Sequence, residues 1–259
     1  MKNVIRNGLS LWEFDTLSAQ PGIRHFVTDR NTNPAGGPFT LSYSSTPDRD
    51  LVVNNRRMLA NAMLVEERAL YLPSQVHKTQ IVHVTPFTTK EELQETDALI
   101  TSHPGICIAV MSADCVPIIL YDSKNKVVAA IHSGWRGTVA RILEKTLSEM
   151  ADRYGTEGEY LFAGIGPSVS QESYEVGEEV ITAVKAAFDT HSELLVHTVP
   201  QKAHLDLWNA NRHQLLEFGV PDEQIEVSNL CTVKHNHAFF SARKGDAGRF
   251  AAGIVLAGG

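Results

Sequence analysis

The most directional stretch of the chain is SADCVPIILYDSKNKVVAAIHSGWRGT, residues 112–138. Cys115 opens the apolar run VPIILY and His132 closes the run VVAAI, with the polar cluster DSKNK between them. That composition predicts two strands joined by a tight turn. A turn centred on Lys124 or Asn125 sets Cys115 almost opposite His132. Cross-strand neighbours lie about 5 Å apart at Cβ, close enough for a thiol and an imidazole to share a proton or a metal ion.

Three segments carry a potential zinc ligand at the end of an apolar run: SQVHKTQ (74–80), SADCVP (112–117) and IHSGWRGT (131–138). His77, Cys115 and His132 would form an N, S, N donor set. Three protein ligands with one open position is the pattern of catalytic zinc, which acidifies a water molecule to a pKa of about 7. The separations are far too long for a zinc finger, and only the hairpin brings two of the three together. The same residues also compose a cysteine hydrolase, with Cys115 as thiolate nucleophile, His132 as its base and Asp114 adjacent. The plain alternative makes Cys115 a small buried hydrophobe and His132 a hydrogen-bonded strand end. Residue types and spacing leave all of these open.

SGWRGT lies between a strand and a helix. Gly134, Gly137 and Thr138 at a helix start, with Arg136 beside them, suit an anion such as phosphate. The competing account makes Thr138 a plain N-cap and the glycines mere turn formers. Arg30 precedes a loop containing Gly36 and Gly37, which could close over a ligand. SARKGDAGR (241–249) offers Arg243, Lys244 and Arg249, a composition also common in solvated turns. His235 and His237 form an HxH pair, which shares one face if the segment is a strand.

The surrounding elements alternate irregularly. Residues 24–30 predict a strand and 31–45 a loop. PDRDLVVNNRRMLANAMLV predicts a helix with an acidic start. Short strands are expected at LYLPSQVH, IVHVT and DALITS, and after the hairpin TVARILEKTLSEMADRYG reads as one amphipathic helix ending at Gly155. EYLFAGIGPSV reads as a strand and turn, EVGEEVITAVKAAF as a helix, and DLWNANRHQLLEFG as a helix stopped by Gly219 and Pro221. IEVSNLCTV, HAFFSAR and GRFAAGIVLA read as strands. This order predicts an α/β or α+β fold with mixed strand directions in a single domain, residues 1–259.

The chain has 259 residues, 43% of them hydrophobic, enough for a substantial core, and a formal net charge of −7. That charge, without a basic patch, argues against nucleic acid as partner. No apolar stretch reaches the roughly 20 residues that span a membrane, and the N-terminus does not read as a signal peptide. Cys107, Cys115 and Cys231 are odd in number and far apart, which favours a reducing compartment over a disulfide framework. A cytoplasmic protein is expected, with no membrane partner; the sequence does not set its oligomeric state.

TDALIT, MSADCVPIILYD, AAIHSGWRGT, GIGPSVSQESYEVGEEV, LDLWNANRHQLLEFGV and CTVKHNHAFFSARK, in this order, closely resemble a bacterial and animal family. That family was long described as laccase-like multicopper polyphenol oxidase and later as purine nucleoside phosphorylase with adenosine deaminase activity. The resemblance runs from about Arg24 to the C-terminus. It implies mixed sheets covered by helices, and zinc held by the His of QVH, the Cys of ADC and the His of H[AS]GWRG, here His77, Cys115 and His132. It further implies phosphorolysis of adenosine, inosine and methylthioadenosine and deamination of adenosine, so purine nucleosides and phosphate are the expected partners. In phosphorolysis Arg136 and the helix-start amides would hold phosphate, with Arg30 or Arg243 assisting; in deamination Asp114 would carry protons. Two departures stand out: Lys78 replaces the usual Gly after the QVH histidine, and Pro38-Phe39 and Leu41-Ser42-Tyr43-Ser44 occupy a loop that commonly reads differently. Copper is the alternative metal. A multicopper oxidase needs several HxH pairs and a cysteine beside histidine, whereas this chain has a single HxH and no histidine next to Cys115 or Cys231. A binding protein with a closed zinc site is the non-enzymatic alternative.

Overall fold

Two apolar runs that are buried on both faces define the centre of the molecule. The structure is a computed structural model and describes residues 1–34 and 36–258. In chain order its first strands are β1 (Lys2–Arg6), β2 (Leu9–Glu13), β3 (Ile23–Val27), β4 (Leu70–Tyr71) and β5 (Ile81–His83). The middle group is β6 (Ala98–Thr101), β7 (Cys107–Ser112), β8 (Val116–Asp122), β9 (Val127–Ser133) and β10 (Leu161–Ile165). The last are β11 (Glu175–Gly177), β12 (Leu195–Val199), β13 (Lys202–Leu205), β14 (Ile225–Val227) and β15 (Phe250–Leu256). They form two six-stranded mixed sheets, ordered β1-β2-β3-β15-β7-β4 and β14-β10-β8-β9-β6-β5, and a small antiparallel sheet β11-β13-β12.

Every residue of β8 and β9 is buried, which explains why these strands read as unbroken apolar runs rather than alternating ones. Ile119, Tyr121, Val128 and Ala130 face the other large sheet, where Ile108, Val110, Ala252 and Ile254 meet them. Ile118, Leu120, Ala129 and Ile131 face the opposite way. Helices cover both outer faces. The first described are α1 (Asp15–Ser18) and α2 (Arg49–Ala62), then α3 (Trp135–Val139), α4 (Ile142–Tyr154), α5 (Glu178–Ala187), α6 (His191–Leu194) and α7 (Leu207–Glu217). Leu143, Leu147, Val184 and Leu215 of α4, α5 and α7 pack on the β8–β9 sheet, while Leu59 and Ala62 of α2 pack on the outer face of the other. The result is a single-domain mixed α/β fold of four layers, helix–sheet–sheet–helix. No described helix is long and apolar enough to cross a membrane.

The central hairpin forms as its composition predicts, with Pro117 paired to His132 and Val116 to Ser133. Asp122 closes its turn by accepting from the amides of Lys124 and Asn125, both at 2.9 Å. The long α2 is capped by Asp48, which accepts from Leu51 N at 3.0 Å, and Gly155 and Gly219 end their helices with φ of +70° and +91°.

Two expectations are overturned. TVARILEKTLSEMADRYG is not one helix: it divides at Arg141, whose φ is +60°, and whose guanidinium bonds Glu144 at 2.5 Å and Glu217 at 2.6 Å. HAFFSAR is not a strand. Residues 235–246 form turns and a short 3-10 segment at Ala242–Lys244, gathered around Asp246, which accepts from Ser241 N at 2.9 Å and Asn236 Nδ2 at 2.5 Å. The buried neighbours Phe239 and Phe240 are anchors of a loop. His235 and His237 therefore do not share a strand face, although their rings lie 6.0 Å apart.

Candidate metal centre

The hairpin register sets the geometry. Because Pro117 pairs with His132, Cys115 lies diagonally across from His132 rather than directly opposite. Both belong to the face that carries Ile119, Tyr121, Val128 and Ala130, and diagonal neighbours on one face are within reach of long side chains. The rings of His77 and His132 meet edge to face with centroids 4.9 Å apart. One ligand atom from each of His77, Cys115 and His132 lies within 4.8 Å of the other two, the group of three such donors found among the described residues. Zinc bonds of about 2.0–2.3 Å in a tetrahedron separate their ligands by roughly 3.5 Å, so small side-chain adjustments close the set on an ion.

His77 arrives from the loop between β4 and β5. Gln75 clips that loop to β7 as a strand residue would: its Nε2 donates to Met111 O and its Oε1 accepts from Met111 N, both at 2.7 Å. Asp97, just before β6 and fully buried, accepts from the amides of Val76 at 3.2 Å, His77 at 3.0 Å and Lys78 at 2.9 Å. Its carboxylate also lies 2.8 Å from His132 Nδ1. Lys78 takes part through its backbone, while its ammonium bonds Glu95 at 2.7 Å on the surface. A side chain at this position is thus accommodated.

Gly134 explains the glycine after His132-Ser133. A Cβ there would stand 2.8 Å from Cys115 Sγ and 3.2 Å from the His77 ring, so the donors leave no room for one. Gly134 also caps α3. Thr138 lies inside that helix, buried, and donates back to Gly134 O at 3.0 Å. Gly137 passes close to Ile142, at 3.3 Å for a Cβ built on it.

Without a metal, the pair behaves as thiolate and imidazolium. Burial works to push the Cys115 thiol up, but the charge of His132 and hydrogen bonds from both histidines outweigh it and hold the thiol down at about 6. Burial works to pull His132 down, yet Cys115 and Asp97 raise it to about 9.

The remaining candidates are placed around this centre. Asp114, with φ of +86°, accepts from Thr232 Oγ1 at 2.5 Å and from Arg243 N at 2.8 Å, so its carboxylate ties the 231–243 loop to the entry of β8. Arg243 stacks on Tyr174 at 4.6 Å and donates to Glu175 O at 3.0 Å. Arg136 is exposed, stacks on Trp135 at 4.3 Å and approaches Glu179 at 3.7 Å. Arg30 is held by Asp246 at 2.6 Å and lies 4.7 Å over Phe240. It lines a cavity of about 270 Å³ with Asn31, Gly36 and Gly37, and no member of the trio lines that cavity. In the altered loop, Phe39 and Leu41 are core residues, and Tyr43 receives the guanidinium of Arg56 at 4.4 Å.

Sequence reasoning passed over two residues. Asp97 begins the segment DALITS, but a buried acid announces its partners only once β6 is docked. Tyr174 is near enough for the charges of Cys115, Arg243, Asp114 and Arg136 to act on it; burial first, and then Cys115, push its phenol up to about 12. Neither spacing nor periodicity marks it.

A hairpin end, a clipped loop and a shared buried carboxylate thus define a protein with a preorganised two-imidazole, one-thiolate centre. Residues 24–257 match the family described as multi-copper polyphenol oxidoreductase laccase, and the chain belongs to it. It is 40% identical to a purine nucleoside phosphorylase of Bacteroides thetaiotaomicron, over 94% of this chain and 95% of that protein. It is 35% identical to adenosine deaminase RL5 from an unknown prokaryotic organism, over 91% and 94% of the two chains. Among solved structures, YlmD from Geobacillus stearothermophilus superposes with a TM-score of 0.85 at 29% identity, covering 97% of each chain. The hypothetical protein YfiH of Bacillus licheniformis gives 0.86 at 27%, covering 96% and 97%.

Proposed function

We propose that the chain is a zinc-dependent purine nucleoside phosphorylase that also deaminates adenosine. The observation that carries this reading is the convergence of His77, Cys115 and His132, and the activities named for the 40% and 35% identical relatives support it. A donor set of two imidazoles and a thiolate fits zinc with one position left for a reactant. When bound, zinc supplies Lewis acidity toward a water molecule or a substrate oxygen.

The chain's own residues supply the rest. Arg136 and Arg243 both act on Tyr174, as does the charge of Cys115, and bind phosphate in this reading. Arg136 is exposed, stacks on Trp135 and makes a long contact to Glu179, and turns toward the phosphate. Arg30 is held by Asp246 at a cavity that no member of the trio lines and takes no part in this reading. Gly134 leaves room for the donors Cys115 and His77, Gly137 lets the same turn pack against Ile142, and Thr138 holds that turn together. Asp114 positions the Arg243 backbone and, through it, the guanidinium. Tyr174 stays protonated at neutral pH and can donate a hydrogen bond to a substrate. Phosphorolysis and deamination are separated by assaying adenosine with and without phosphate: ribose 1-phosphate is expected only with phosphate, inosine in both. Loss of neither activity in Cys115→Ala would refute the zinc-dependent reading.

A cysteine hydrolase is a second reading, favoured by a Cys115 thiol held at about 6 beside His132. Iodoacetamide separates the two: a metal-held sulfur is protected in zinc-loaded protein, whereas a free nucleophile is alkylated. A mononuclear copper also accepts two histidines and one cysteine. The trinuclear cluster of a laccase requires more histidines than the three-donor group found among the described residues.

A further inference from the structure

Both histidine arms of the centre end on one carboxylate. Asp97 is fully buried, and its oxygens accept from the amides of Val76, His77 and Lys78 at 3.2, 3.0 and 2.9 Å. The amides converge because His77 has a φ of +62°, a left-handed conformation rare for a residue with a side chain. The same carboxylate faces His132 Nδ1 at 2.8 Å, and the Asp97 carbonyl accepts from His132 N at 2.8 Å. A neutral imidazole carries one proton, and a carboxylate acceptor at Nδ1 keeps it there, leaving the Nε2 lone pair for a metal.

We infer that Asp97 is a positioning residue that fixes the backbone of the His77 arm and holds the proton of His132 on Nδ1, making Nε2 the ligating atom. The inference rests on the metal-centre reading above. Asparagine has the same shape but a different hydrogen-bonding inventory. His77 N and His132 Nδ1 share Asp97 Oδ1, and Val76 N and Lys78 N share Oδ2. An asparagine oxygen in place of Oδ2 still serves Val76 and Lys78. The NH2 in place of Oδ1 would face His132, favour its proton on Nε2 and block ligation, and would leave the His77 amide without its acceptor. Gln75 holds the same loop by a route that never touches His132, so Gln75→Leu reports a purely structural loosening.

The test titrates cobalt(II) into metal-free protein, unaltered, Asp97→Asn and Gln75→Leu, against a competing chelator. Long-range proton–nitrogen spectra of 15N-histidine-labelled, zinc-loaded protein read the tautomer of His132. The expected result is ligation through Nε2 with Nδ1 protonated, and cobalt affinity lowered about 10- to 100-fold in Asp97→Asn. Gln75→Leu should weaken binding less and leave the tautomer unchanged. Cobalt affinity in Asp97→Asn equal to the unaltered protein would overturn the inference. If Asp97→Asn does not fold, ligation of His132 through Nδ1 in the unaltered protein overturns it instead. Failure of the unaltered protein to bind cobalt through the trio would remove the metal-centre reading itself, and the inference with it.

Discussion

Cys115 and His132 are each other's main electrostatic neighbours, and that has a consequence at equilibrium. Relative to an unfolded chain, the folded protein removes a proton from Cys115, whose ordinary value of 9.0 falls to about 6, and keeps one on His132, whose value of 6.5 rises to about 9. From about 6.5 to 9 the thiolate makes stability rise with pH, while the imidazolium makes it fall. The two slopes cancel, so the metal-free pair contributes no pH dependence in that window. Alkylation of Cys115 in metal-free protein should instead climb as pH rises through about 6; a rate that climbs only near 9 would contradict the paired arrangement. Gly134 gives a second prediction at this scale. A methyl group 2.8 Å from Cys115 Sγ overpacks the donors at a cost of about 1–3 kcal/mol. Gly134→Ala should therefore lose about 10- to 100-fold in metal affinity by chelator competition, with the fold retained. No spacing placed His77, a candidate by residue type and family resemblance, but Cys115 and His132 were legible because they close the ends of adjoining apolar runs. Asp97 was not, since it is recognised by the four donors around it, and three of those belong to the backbone.

Helix α7 reaches the centre without contributing a ligand. Asn211, fully buried, donates to Leu207 O at 2.8 Å and accepts from Ser133 Oγ at 2.9 Å, one residue beyond His132. Ser133 Oγ in turn lies 2.8 Å from Thr138 Oγ1 inside α3. Asn211→Ala strands that buried hydroxyl pair and should cost about 1–3 kcal/mol in thermal or denaturant unfolding. Metal affinity should fall less than in Gly134→Ala, since no donor atom is crowded; an equal or greater loss would show that α7 positions His132 directly. At this scale the hairpin, α2, α7 and β15 were readable from apolar periodicity and caps. The break at Arg141 was not, because its left-handed backbone is stabilised by Glu217 on a distant helix. HAFFSAR misled for a related reason: adjacent Phe239 and Phe240 are buried anchors of a loop organised by Asp246, and side-chain acceptors within a loop imitate no period.

The whole molecule places the centre at one end of a sheet that is covered on both faces. β8 and β9 are packed by the second sheet on one side and by α4, α5 and α7 on the other, so the strand ends carrying Cys115 and His132 have little freedom to separate. Ile119 lies in the layer between the sheets. Ile119→Ala should cost about 2–5 kcal/mol and lower the melting temperature by roughly 5–15 °C, while a folded sample well below that temperature keeps its metal. Loss of metal at temperatures where circular dichroism still reports native structure would mean that the inter-sheet core tunes the site itself. The layered arrangement was only partly legible. Continuous apolar runs announce strands buried on both faces, but which layer covers which face is decided by alternation within each strand. The strands of the small β11-β13-β12 sheet are too short, with β12 exposed beyond Leu195, to show a period. X-ray absorption spectroscopy at the metal edges of the purified protein puts the central claim to its most direct trial. The account predicts zinc with one sulfur at about 2.3 Å and two imidazole nitrogens at about 2.0–2.1 Å; a copper edge, or a zinc shell without sulfur, would contradict it.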